Sequence, residues 1–218
     1  MSVSKFDRFL PIAGVLVGLL FVAVNLLTWG SPDSTDGKEL AEWGSAHETR
    51  TTLAGFGLAY IAVLMAFFAV ALRGAIRSGE PDESTYSSVA FAGGVMIASA
   101  SAMWAYTSLA AMSAISDGDA AAVSTLAHLT SLNWLPWLIG SAVLFLSVGI
   151  GAFRTAVLPR WLAVVTIALG VLCLTGVGGI AVYLVSPVWF VVTGIVLHQR
   201  ASTGTPAPSE SATHPVNA

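Results

Sequence analysis

Residues 51–72 read TTLAGFGLAYIAVLMAFFAVAL, with no charge between Arg50 and Arg73. A helix rises about 1.5 Å per residue, and about 20 mostly apolar residues cross the hydrocarbon of a bilayer. The stretch predicts a transmembrane helix, and the arginine on each side marks where the chain returns to water. Other uncharged runs extend the reading in both directions: Leu10–Trp29 before it, then Ser87–Met112, Trp134–Phe153 and residues 161–197 after it. The last run is too long for one span. Gly176, Gly178 and Gly179 divide it into helices over Leu162–Thr175 and Ile180–Leu197, the second carrying Pro187 as a kink. The predicted fold class is all-α: a polytopic transmembrane bundle of six spans over residues 1–200, with a disordered cytoplasmic tail at 201–218.

Composition agrees. The chain of 218 residues is 56% hydrophobic and only 10% charged, with mean hydropathy +0.80. Soluble domains carry about 25% charged residues. The net charge of −3 and the lack of a Lys/Arg stripe point away from nucleic acid and leave membrane lipid as the partner. Lys5 and Arg8 ahead of an apolar run imitate a signal peptide. The run is long, however, and Thr28-Trp29-Gly30 is a poor cleavage site, so it reads as an uncleaved first span. The lone Cys173 reads as a small core residue.

Charge orients the bundle. With six spans and the N-terminus inside, Lys5, Arg8, Arg73, Arg77, Arg154, Arg160 and Arg200 lie on the cytoplasmic side, against only Lys38 and Arg50 outside. This places the protein in the plasma membrane with both termini cytoplasmic. Trp29, Trp134 and Trp137 read as outer interface anchors and Trp161 as an inner one. Ser45 and Glu48 have capping-box spacing at the entry to the second helix. Residues 120–132 read as a surface or re-entrant helix. The third span is rich in small residues, among them Gly93, Gly94, Ala98 and Ser99, and is expected to be the most enclosed.

No ionisable side chain falls in the middle of a span, which argues against a proton-coupled transporter and a b-type haem protein. No P-loop, GxSxG or dinucleotide fingerprint is present, so no catalytic residue and no cofactor is assigned. The acidic segment at residues 30–50 offers Glu39, Glu42 and His47, and the second outer loop offers His128. Carboxylates with imidazole suit a divalent metal, and they equally suit a solvated acidic face. Trp43 shares a helical face with Glu39. Asn25 is the costliest polar residue of the first span, and it reads either as a ligand contact or as an interhelical hydrogen bond. Trp104, Tyr106, Tyr60 and Tyr183, with Met96 and Met103, read as pocket or packing residues, and Trp134 as a wall of the outer mouth. Gly14 and Gly18 form a GxxxG, either a dimer seam or internal packing.

Ala46-His47-Glu48, Gly149-Ile150-Gly151, Leu158-Pro159-Arg160-Trp161-Leu162 and Pro187-Val188-Trp189 before Gly194 together carry a resemblance. The stretch Leu10–Arg200 resembles a bacterial family of multi-pass integral membrane proteins of unknown function. The resemblance implies a six-helix bundle and supplies no site residues. Three functional readings follow. The first is a non-enzymatic structural, interaction or lipid-binding bundle. The second is a transporter or channel for a neutral or apolar small molecule. The third is an outer-face metal-binding enzyme or sensor.

Overall fold

The computed structural model describes residues 9–81, 85–175 and 178–203. Among them the secondary structure is helical throughout: α1 (Ile12–Leu27), α2 (Gly37–Ala46), α3 (Glu48–Arg77), α4 (Tyr86–Ser116), α5 (Ala120–Thr130), α6 (Trp134–Thr155), α7 (Arg160–Cys173) and α8 (Gly178–Thr203). Four helical stretches are long and apolar enough to cross a membrane: Glu48–Arg77, Tyr86–Ser116, Ala120–Thr155 and Gly178–Ser202. α1 and α7 are apolar but shorter, at 16 and 14 residues. α8 continues through the first residues of the expected tail. The rest of that tail, the first eight residues and Gly176 of the expected break lie outside the described residues.

The helices pack around a closed circuit. α1 lies against α3 and α8, α3 against α4, α4 against α6, α6 against α7, and α7 more thinly against α8. α6 also reaches inward, so Phe145 meets Trp189 of α8 and Trp137 meets Phe21 of α1. This corrects the expectation that the third span, α4, is the most enclosed. In the most apolar 18 residues of the stretch ending at Thr155, 67% are buried, against 44% in the corresponding 18 residues of each of the other three long helices. The small residues of α4 serve one stripe only. Gly93 lies against the backbone of Leu144 and Gly94 against Ala69, while Ser99, Ala102 and Met103 are exposed. Small residues permit close approach, but the apolar faces of the rest of the helix decide how many neighbours it has. The Gly14/Gly18 pair packs internally, Gly14 on Phe68 and Gly18 on Pro187 and Val191.

The centre is filled with aromatic rings. Phe145 and Trp189 meet edge to face at 4.8 Å between centroids, and Trp189 meets Phe190 at 5.3 Å. Trp189 Nε1–H donates to Thr166 Oγ1 at 2.7 Å, and Thr166 in turn donates to the carbonyl of Leu162 at 2.6 Å. Cys173 is buried, as its apolar surroundings implied. Pro187 has no N–H for the carbonyl of Tyr183 one turn earlier, and Ser186 Oγ donates to that carbonyl instead at 3.1 Å. The helix thereby passes through the proline with its backbone acceptor satisfied.

The two ends of the bundle differ in charge. At one end Arg73, Arg77, Arg154, Arg160 and Arg200 gather on the termini of α3, α6, α7 and α8. Arg73 lies over the Phe91 ring, Arg154 lies over Tyr86, and Arg200 donates to the carbonyl of Ala156 at 2.7 Å. At the other end lie α2, α5 and the acidic segment. There Arg50 Nε donates to the carbonyl of Leu27 at 3.0 Å, and its Nη2 reaches those of Leu26 and Trp29, capping the C-terminus of α1.

Two local expectations are corrected here. Ser45 lies inside α2 and donates to the carbonyl of Glu42, so it forms no capping box with Glu48. The caps are Asp36, which accepts from Lys38 N, and Asp119, which accepts from Ala122 N. Trp137 is no interface anchor. It is 2% exposed and packs on Phe21 and Tyr183, whereas Trp29, Trp134 and Trp161 are exposed.

Candidate binding cleft

Asn25 sits in the last turn of α1, where an amide would be costly if it faced apolar surroundings alone. Its Nδ2–H donates to the carbonyl of Phe21 at 2.8 Å, one turn back on its own helix. Its Oδ1 accepts the phenol O–H of Tyr183 at 2.9 Å, from α8. Tyr183 is placed by three aromatic neighbours: Phe21 edge-on at 4.8 Å, Trp137 at 5.7 Å and Trp104 at 6.4 Å between centroids. The first span's polar residue is thus an interhelical hydrogen bond.

That bond also borders a cavity. A cleft of about 80 Å³ opens between α1, α3, α4 and α8. Its walls are Phe21, Val24, Asn25 and Thr28 of α1, Thr51, Ala54, Gly55 and Leu58 of α3, Trp104 and Ser108 of α4, and Tyr183 of α8. One water occupies about 30 Å³ of the liquid, so the space matches roughly two to three waters or one small functional group. Thr28 Oγ1 donates into its own helix, to the carbonyl of Val24 at 3.0 Å, and Thr51 Oγ1 donates to that of His47 at 3.0 Å. No lining residue is acidic or basic. Phe21 and Tyr183, which line the cleft, both pack on Trp137.

Of the expected aromatic pocket, Trp104 and Tyr183 line the cleft. Tyr60 and Tyr106 are 63% and 72% exposed and face outward, as do Met96, Met103 and Trp134. Residues that sequence reasoning missed are Thr28, Thr51 and Ser108. Their signal was weak: three hydroxyls at helix ends, each ordinary by itself. Asn133 was also missed. It is buried beside α4 and donates to Thr107 Oγ1 at 2.8 Å.

The two segments at the acidic end meet. α2 packs on α5, with Gly37 against the backbone of Ala120 and Ser124 Oγ donating to the carbonyl of Thr35 at 2.8 Å. The contact does not assemble Glu39, Glu42, His47 and His128. His47 stacks on Trp43 at 4.7 Å and bonds through Nδ1 to the Trp43 carbonyl, while His128 bonds to that of Ser124 on its own helix. Glu39 and Glu42 are exposed. Among the described residues no three His, Cys, Asp or Glu side chains are grouped so as to hold a metal ion. No family model, curated protein sequence or solved structure matches the chain.

Proposed function

We propose that the chain is a six-span integral membrane protein of the plasma membrane, both termini cytoplasmic, whose bundle binds an uncharged ligand and carries out no chemistry on it. The observation that carries this reading is the cleft: an uncharged, partly polar space where α1, α3, α4 and α8 meet. Membrane placement is supported by four long apolar helices and by outward-facing Leu16, Phe56, Val63, Val70 and Leu184. The shorter α1 and α7 belong to the bundle because both contribute to the same buried core, through Phe21 and Leu162. The orientation is supported by the arginine-rich end opposite the acidic one.

Two measurements test it. A cysteine at Ser78 is expected to react only with reagents that enter the cell, against a background kept low by the burial of Cys173. Labelling of that cysteine from outside intact cells would overturn the orientation. Native mass spectrometry of the protein ejected from native-lipid nanodiscs is expected to show a retained neutral adduct. Ser108→Leu, which fills the cleft, is expected to lose it. An adduct equally retained by Ser108→Leu, or none in either protein, removes the cleft as the functional site.

A further inference from the structure

The hydrogen-bonding capacity left over in the cleft selects among uncharged ligands. The hydroxyl protons of Thr28, Thr51 and Tyr183 are committed, to the carbonyls of Val24 and His47 and to Asn25 Oδ1. Their oxygens can therefore only accept, whereas the Ser108 hydroxyl, which also lines the cleft, can donate or accept. Asn25 Oδ1 keeps one lone pair and Asn25 Nδ2 keeps one N–H, because one proton already goes to Phe21. A ligand group that displaces water here must donate, or these oxygens lose their partners. It must also accept one bond from the asparagine N–H. An ether or ketone fails the first demand. A carboxylate fails it and brings an uncompensated charge. An ammonium donates, but no acidic side chain lines the cleft to balance it. At about 80 Å³ the space admits a single small group with a few carbons.

We propose that the cleft takes the hydroxyl end of a neutral alcohol, held between Asn25 and the Thr28/Thr51 oxygens with its carbons against Phe21 and Trp104. This rests on the cleft being the binding site proposed above. The alcohol can reach it from the membrane, as the head of a neutral amphiphile, or from water as a small solute.

Photolabelling of the full-length protein in nanodiscs tests it, with three probes on one diazirine-bearing chain: the alkanol, its methyl ether and the alkylammonium. The alkanol is expected to label cleft residues, and the ether about tenfold less, the scale of one lost hydrogen bond in a buried site. Asn25→Leu is expected to lower alkanol labelling by about the same factor. Thr28→Val serves as a second variant should Asn25→Leu fail to fold. Ether or ammonium labelling the cleft as strongly as the alkanol overturns the hydroxyl assignment and leaves the cleft as a binding site. Labelling confined to outward residues such as Phe56 and Val63, with all three probes, overturns the binding reading itself. Where the alkanol labels as expected, competition by a short-chain alcohol assigns a water-borne source, and competition by a long-chain alcohol alone assigns a membrane-borne one.

Discussion

Tyr183 and Trp189 stand on either side of Pro187 in α8, and each donates a hydrogen bond to a polar side chain of another helix. Trp189 reaches Thr166 at 2.7 Å and Tyr183 reaches Asn25 at 2.9 Å. The surroundings separate them. Trp189 is 3% exposed and Thr166 is fully buried, enclosed by Phe68, Phe145 and Phe190. Tyr183 is only partly buried and borders the cleft. The same kind of bond therefore has two uses. Where donor and acceptor are both enclosed by packed rings, it fixes helix packing. Where space and spare acceptors remain beside it, it marks a place that can be occupied.

The sharpest way to break this comparison is to remove the enclosed ring. Trp189→Ala is expected to cost about 3–5 kcal/mol, since deleting a buried aromatic loses its burial and leaves a cavity. An SDS titration in detergent micelles, followed by helicity, measures it. A cost below about 1 kcal/mol would mean that the centre is as loosely held as the cleft, against the values usual for buried rings. Packing beside the same centre gives the next effect. Gly94→Leu is expected to cost about 1–3 kcal/mol, because any side chain there meets Ala69 of α3. Ser99→Leu on the same helix is expected to fall within about 0.5 kcal/mol of wild type, since Ser99 faces outward. Equal costs at the two positions would restore α4 to the middle of the bundle.

The contrast between Gly94 and Ser99 shows what the sequence could reveal. Uncharged runs located the helices, and the start of α6 at Trp134 falls where Pro136 puts it, whereas Gly178 and Gly179, expected in the break, lie in the first turn of α8. Small residues showed that α4 approaches something closely. They did not show on which stripe, because one sequence does not order the other helices around it. Asn25 was legible as a costly amide. Its partner lies 158 residues away, and no local pattern links the two. Ser45-x-x-Glu48 has the letters of a capping box. Asp36 won because the helix begins there, one residue before Gly37, whose lack of a side chain lets α2 cross α5. The charged outer loops suggested a metal site by clustering, and the helical geometry turned each histidine to a carbonyl of its own helix.

Between the large effects and the smallest stands Thr166→Val. The substitution keeps the shape and removes the acceptor for Trp189 Nε1–H, leaving a buried donor without a partner. A cost of about 1–3 kcal/mol is expected in the same SDS titration. A near-neutral result would show that the indole finds another acceptor, and the enclosed pair would lose its role in fixing α7 to α8.

Tyr183→Phe should have the smallest effect, and it bears most directly on the comparison. The substitution removes one hydroxyl and keeps the ring against Phe21, Trp137 and Trp104. Asn25 Oδ1 loses its donor, as Trp189 Nε1–H loses its acceptor in Thr166→Val. Here the orphaned atom borders a cleft with room for water, and a water bridging polar groups replaces a direct hydrogen bond at little cost. A stability loss of no more than about 0.5 kcal/mol is therefore expected, well below that for Thr166→Val although each removes one bond. Titrating both variants in parallel is the measurement, and the difference between them is the quantity to read. If Tyr183→Phe costs as much as Thr166→Val, the cleft does not admit a replacement partner. The Tyr183–Asn25 bond is then a second packing contact like Trp189–Thr166, and the proposed binding site loses its physical basis.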